Sequence, residues 1–191
     1  MHGFRRREFQ LMLLRRMADF HPGLVADALA ELGATPAEHR AAHHRWQQLM
    51  HSSRFDHGVG GLRAALGPPE LDVVRSTAFA RVREQRWSLS DVLWPDLRWC
   101  VLSDVEGQIL NAELVRDPPR SELDPPLTEP SCPPPRPWSI VIADVAPFVR
   151  HTRDDPMTSR TILWLPRGQD TLTLVFVWGL LQTAEVCPPA S

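Results

Sequence analysis

Apolar residues along this chain change their spacing partway through. Between residues 4 and 20 they fall at Phe9, Leu13, Met17 and Phe20, a helical stripe with arginines beside it. His21-Pro22-Gly23 interrupts it, and Pro22 is well placed to open a second helix through Leu24, Val25, Ala28, Leu29 and Leu32, with Gly33 as its stop. Thr35-Pro36-Ala37-Glu38 has the form of a capping box with proline at the first helical position, so a third helix is predicted over residues 36–50. A short helix over 59–66 ends at Gly67-Pro68-Pro69, and residues 70–83 suit either a further helix or the entry into a sheet.

From Trp87 the pattern is that of strands. Residues 98–105 and 108–116 flank Glu106-Gly107 as a β-hairpin. Residues 139–143 read as a short strand that stops before Pro147, and 161–165 pairs with 171–181 through a turn at 166–170. The stretch 171–181 is almost uninterrupted apolar sequence. It predicts one central strand covered on both faces, with the amphipathic helices of the first half as the cover. Residues 117–137 hold nine prolines and read as a semi-extended surface loop. The expectation is an α+β protein: an N-terminal helical bundle packed on a C-terminal, mainly antiparallel β-sheet. Residues 1–86 form the helical region and 87–191 the β-rich region, within what could be one compact unit.

Composition narrows this picture. At 191 residues with 43% hydrophobic and 23% charged residues, the chain can bury a core and is not a disordered type. All 21 basic residues are arginine, so every fixed cation is a planar guanidinium suited to carboxylate, phosphate and aromatic contacts. Net charge is −2. Residues 1–100 carry 14 Arg against 11 acids, and residues 101–191 carry 7 against 12. Arg5-Arg6-Arg7 and Arg15-Arg16 are opposed in that stretch by Glu8 alone, a solvated helix face that could also meet an acidic partner. Cys100, Cys132 and Cys187 share no metal-type spacing, which argues against a disulfide framework. The apolar core at 11–14 is too short for a secretory signal and 171–181 too short for a membrane span, so a cytoplasmic setting is expected.

Candidate chemistry is sparse. Five of the eight histidines lie between 39 and 57, and His39 and His43 are helical i,i+4 neighbours beside Glu38, a metal-ligand spacing that lacks a third ligand. A metal-dependent enzyme built on His39 and His43 is therefore one alternative. His151-Thr152-Arg153-Asp154-Asp155 places an imidazole and two carboxylates in an expected loop between strands. His57-Gly58-Val59-Gly60-Gly61 stands before a helix but matches neither dinucleotide nor P-loop patterns. Residues 25–46 have the outline of a helix-turn-helix, in which Glu38, His39, Arg40 and His43 would face bases and residues 5–7 would touch phosphate. A DNA-binding regulator is thus the other alternative, although Glu38 would meet phosphate charge.

An open sheet edge beside a tryptophan-rich face is a seat for an extended peptide. Trp99, Trp138 and Trp164 are the expected peptide-binding residues, and Arg40, His44 and Trp46 the expected partner-binding ones. Arg45-Trp46-Gln47-Gln48 through Arg54-Phe55, then the Gly-Pro-Pro break and a strand-rich second half, resembles the small partner subunits of iron-dependent peptide-modifying enzymes of the methanobactin oxazolone synthase type. The resemblance implies a heteromeric, non-catalytic accessory subunit that helps hold a precursor peptide in peptide natural-product biosynthesis. It also implies that this chain carries no cofactor or metal of its own, the iron belonging to the larger partner enzyme.

Overall fold

The computed structural model describes residues 4–53, 55–76, 81–89, 92–120, 127–155 and 159–188. The chain divides into two units, Met1–Glu113 and Leu114–Ser191.

The first unit opens with four helices: α1 (Arg6–Met17), α2 (Pro22–Glu31), α3 (Pro36–Met50) and α4 (Val59–Leu66). The ends of α3 and α4 lie where the sequence puts them. Thr35 Oγ1 accepts the Glu38 amide at 3.2 Å while the Thr35 amide donates to the Glu38 carboxylate at 2.8 Å, closing the capping box. Gly67 stops α4 at φ +81°, a conformation that costs glycine little. α1 is buried on more than a stripe: Phe9, Gln10, Leu11, Met12, Leu13, Leu14 and Met17 are all inside. Phe20 lies past its end.

The described residues of 70–83 enter a sheet, so strand structure starts ahead of Trp87. β1 (Leu71–Ser76), β2 (Arg81–Ser88), β3 (Leu97–Ser103) and β4 (Ile109–Arg116) form an antiparallel sheet in that order. The predicted hairpin is present between β3 and β4, where Gly107 takes φ +92° and Asp104 Oδ1 accepts the amides of Glu106 and Gln108 at 3.0 and 2.8 Å. Trp87 and Trp99 are register partners on the face toward α1, where Phe9 meets Trp99.

In the second unit a short helix α5 (Ile142–Val145) precedes β5 (His151–Asp155), β6 (Arg160–Arg167), β7 (Asp170–Val177) and β8 (Leu180–Cys187), again antiparallel and in sequence order. The architecture is mixed α+β with helices first, but it contains two four-stranded sheets rather than one.

Two expectations need correction. The apolar run 171–181 is not one strand: Trp178 and Gly179 take φ 52° and 78° and fold it into the tight β7–β8 hairpin. Residues 139–143 are not a strand either. Val141 makes one bridge to Leu180, then Asp144 accepts the Val141 amide at 3.0 Å and caps α5.

The core of this unit is Ile140, Val145, Leu163, Leu165, Leu172, Leu174, Phe176 and Leu181, all on one face of the second sheet except for the α5 segment that covers it. The described part of the proline-rich loop has neither helix nor strand, yet it contributes Leu127 to this core. Buried Arg167 clasps the loop by donating to the carbonyls of Pro130, at 3.0 Å, and Cys132.

Candidate peptide-binding edge

In an antiparallel sheet the two outermost strands each leave one row of amides and carbonyls unpaired, and a folded protein must cover, charge or use them. The second sheet treats its two edges differently. Along the start of β8, the Trp138 amide donates to the Leu181 carbonyl at 2.8 Å, the Leu181 amide to Ile140 at 3.1 Å and the Ile142 amide to Gly179 at 3.0 Å. Residues 138–142 thus occupy that edge. β5 ends the sheet on the other side, and all five of its residues are exposed.

Behind β5 the register lays out one row across the sheet: His151 opposite Trp164, Trp164 opposite Thr173, and Thr173 opposite Glu185. The next row on the same face is Arg153, Ile162, Val175 and Thr183. Trp164 is half-buried, with part of its indole left open. His151, Arg153 and Asp155 alternate with Thr152 and Asp154, so His151 and Asp154 face opposite sides of the strand. These residues form a strand, not the expected loop, and the imidazole does not converge with both carboxylates.

The first sheet's outer strand β1 is also exposed in part, but its charged side chains are engaged. Asp72 pairs with Arg63 and, at 2.7 Å, with Arg83; Arg75 pairs with Glu84.

The three expected peptide-binding tryptophans do not share a surface. Trp99 is 2% exposed in the core of the first unit. Trp138 is half-buried and its indole donates to Gln182 at 3.2 Å. Trp164 alone of the three lies beside an open edge.

The expected partner-binding set is likewise divided. Arg40 and His44 are exposed neighbours at i,i+4 on α3, whereas Trp46 turns inward to an aromatic cluster. Its ring lies 5.4 Å from Phe4, 5.6 Å from Phe9 and 6.1 Å from Phe55. The family-like Trp46 and Phe55 are half-buried and pack within this cluster, and Arg54 lies outside the described residues.

On the histidine helix, His39 is buried. Burial, followed by the charges of Arg15, His43 and Arg40, holds its pKa below the usual value. Burial, then Arg15, Arg16 and His44, does the same for His43. Among the described residues no group of three or more His, Cys, Asp or Glu is placed to hold a metal ion.

Of the four residues that the helix-turn-helix reading turns toward bases, Arg40 is exposed and His43 half-buried, while the other two are held within the fold. Glu38 is tied to Thr35 and to Arg7 at 3.2 Å, and His39 is inside. Arg6 donates to the carbonyls of Leu66, Ser88 and Pro68 and to Glu70. The glycine-rich segment before α4 holds its own anion: Asp56 accepts the Gly58 amide at 2.8 Å, and a Cβ at Gly60 would collide with its carboxylate.

The sequence missed three structural devices, namely the Arg6 clamp, the Arg167 clasp and the capped β8 edge. Each joins residues far apart in the chain, so no local pattern announces it.

No family model matches this chain, and no curated protein matches it. Among solved structures it is similar to a candidate β-lactamase inhibitor protein from Streptococcus mutans, with 10% identity and a TM-score of 0.29 over 68% of this chain and 81% of that one. No described helix is long and apolar enough to cross a membrane.

Proposed function

We propose that this chain is a non-catalytic accessory subunit that binds an extended peptide along β5 and works with a larger modifying enzyme. The observation that carries the reading is the asymmetry of the second sheet, with one edge taken by residues 138–142 and the other, beside Trp164, exposed along its whole length. An added strand there would gain main-chain hydrogen bonds from β5, and every second side chain would lie on the Trp164 face. His151, Arg153 and Asp155 line that face and supply both signs of charge for register.

The resemblance to partner subunits of iron-dependent peptide-modifying enzymes gives the setting: a cytoplasmic heteromer in peptide natural-product maturation, with iron on the other polypeptide. The exposed pair Arg40 and His44 is the surface we assign to the enzyme partner.

The test is binding of candidate precursor peptides drawn from the reading frames beside this chain's gene, followed by amide hydrogen exchange. Protection gained in β5, together with a loss of about tenfold in affinity for Trp164→Ala, supports the reading. Protection appearing elsewhere, or a Trp164→Ala variant that binds as tightly as the parent, overturns it.

A further inference from the structure

The β5 edge carries two adjacent charges that the fold does not use. All five residues of β5 are exposed, and Arg153 and Asp154 alternate onto opposite faces of the strand. The row behind Arg153 runs through Ile162, Val175 and Thr183, and the row behind Asp154 opens with Thr161 and Phe176. None of these neighbours is charged. Among the described residues neither Arg153 nor Asp154 has an oppositely charged partner, whereas Asp155 lies opposite Arg160. The outer strand of the first sheet is arranged the other way: its charges, Asp72 and Arg75, are met within the fold.

A second copy of the chain does not suit this pattern. If β5 paired with itself across a two-fold axis as one continuous sheet, a register centred at Arg153, Asp154 or Asp155 would set that residue against its own like charge. Centred at Thr152, the pairing would set Arg153 against His151 and leave it without an acid. A different strand, carrying the complementary charges, satisfies both residues.

We infer that the peptide taken up at β5 carries an adjacent basic–acidic pair, the acid opposite Arg153 and the base opposite Asp154, with a large apolar residue opposite His151; this rests on the β5 reading above. Every neighbouring pair of strands in this sheet is antiparallel, and that sets the order. An antiparallel strand meets Asp154 before Arg153, so the base precedes the acid in the peptide. The apolar residue then stands two places after the acid. Directly opposite residues of adjoining strands share a face, so the acid joins Arg153 on the Trp164 face and the base joins Asp154 on the other. The apolar position falls in the row of His151 and Trp164, where the open part of the indole offers it a surface. Main-chain bonds would hold any extended peptide, and the two charges select sequence and register.

The experiment is fluorescence anisotropy of labelled synthetic peptides with the full chain, with amide hydrogen exchange to locate them. Between threonine flanks the matched peptide holds Arg-Glu-Val-Phe, the swapped peptide Glu-Arg-Val-Phe and the reversed peptide Phe-Val-Glu-Arg. The parent should bind the matched peptide about tenfold more tightly than the swapped one, with the gap narrowing in high salt. The double variant Arg153→Glu/Asp154→Arg, checked for folding by its thermal midpoint, should invert that preference. Arg153→Gln, which removes one charge alone, should reduce it about threefold. If β5 amides gain protection but the parent binds matched and swapped peptides equally, or the variants keep the parent's preference, this inference is overturned and the β5 reading stands. Tighter binding of the reversed peptide overturns the antiparallel order in the same way. If no peptide protects β5, the β5 reading falls and this inference with it. Protection of β5 that grows with protein concentration in the absence of peptide assigns the edge to a second copy and overturns both.

Discussion

The ring of Phe9 stands edge-on to the indole of Trp99, 5.2 Å between centroids and 71° between planes. That contact fixes Trp99 inside the first unit, while Trp164 keeps part of its indole open beside β5. The two tryptophans should therefore respond oppositely to truncation. Trp99→Ala leaves a cavity against Phe9 and should cost about 3–5 kcal/mol in urea unfolding. Trp164→Ala should cost about 1 kcal/mol or less and show itself in peptide binding. Equal destabilisation by the two changes would sink the distinction.

Arg6 and Arg7 are adjacent in sequence and unequal in structure. Arg6 donates at 2.7 Å to Leu66, 2.8 Å to Glu70 and 3.0 Å to Ser88, joining α1 to the end of α4 and the first sheet. Arg7 makes an exposed pair with Glu38 and one bond to the Gly33 carbonyl at 3.1 Å. Arg6→Met should lower stability by about 2–3 kcal/mol, since it strands several acceptors. Arg7→Met should cost less than about 1 kcal/mol. Denaturant midpoints of the two variants decide this.

The same pair shows what the sequence can and cannot say. Helix ends were legible because their signals are local: Thr35 and Glu38 are three residues apart, and Gly67 precedes two prolines. The hairpin at Gly107 was legible for the same reason. The β7–β8 hairpin was hidden because its turn places a tryptophan, Trp178, at positive φ, and apolar residues run through it without a polar break. The open edge at β5 was predictable as a kind of feature but not as a place. Which strand ends a sheet depends on pairing between segments, and here on the return of residues 138–142 to β8. Tryptophan count, likewise, could not separate Trp99 in a core from Trp164 at a surface.

Stability should fall as pH drops below neutrality. His39 and His43 have folded pKa values below the ordinary 6.5, chiefly through burial and then through arginine charge. Below pH 6.5 the unfolded chain takes up protons that the folded chain resists, so unfolding becomes easier with each step down until the folded values are passed. A second loss follows at lower pH. Burial pushes the Glu84 carboxyl up, but its bonds to Arg75 and Arg86 outweigh this and hold it below the ordinary 4.5, so its contribution disappears as pH falls through that depressed value. Urea midpoints measured from pH 7.5 down to 5.5 should decline for the parent, and less steeply for His39→Gln. A flat parent profile would contradict the assignment.

Thiol chemistry separates the three cysteines. Cys100 lies on the face of the first sheet that carries Glu84, and burial first, then the Glu84 charge, pushes its thiol up to about 11. Near pH 8 only about a thousandth of such a thiol is ionised, and the thiolate is the reacting form. Cys132 is buried within the proline-rich loop, where Arg167 donates to its carbonyl. Cys187 is half-buried near the end of β8, with its sulfur 3.7 Å from Thr173 Oγ1. Alkylation of the native chain with iodoacetamide at pH 8 should therefore mark Cys187 first and leave Cys100 and Cys132 unmodified until denaturant is added. Peptide mapping by mass spectrometry reads the order directly. Cys100 labelled as fast as Cys187 would mean that its surroundings are more open, and less acidic in charge, than the packing of Glu84 against it requires.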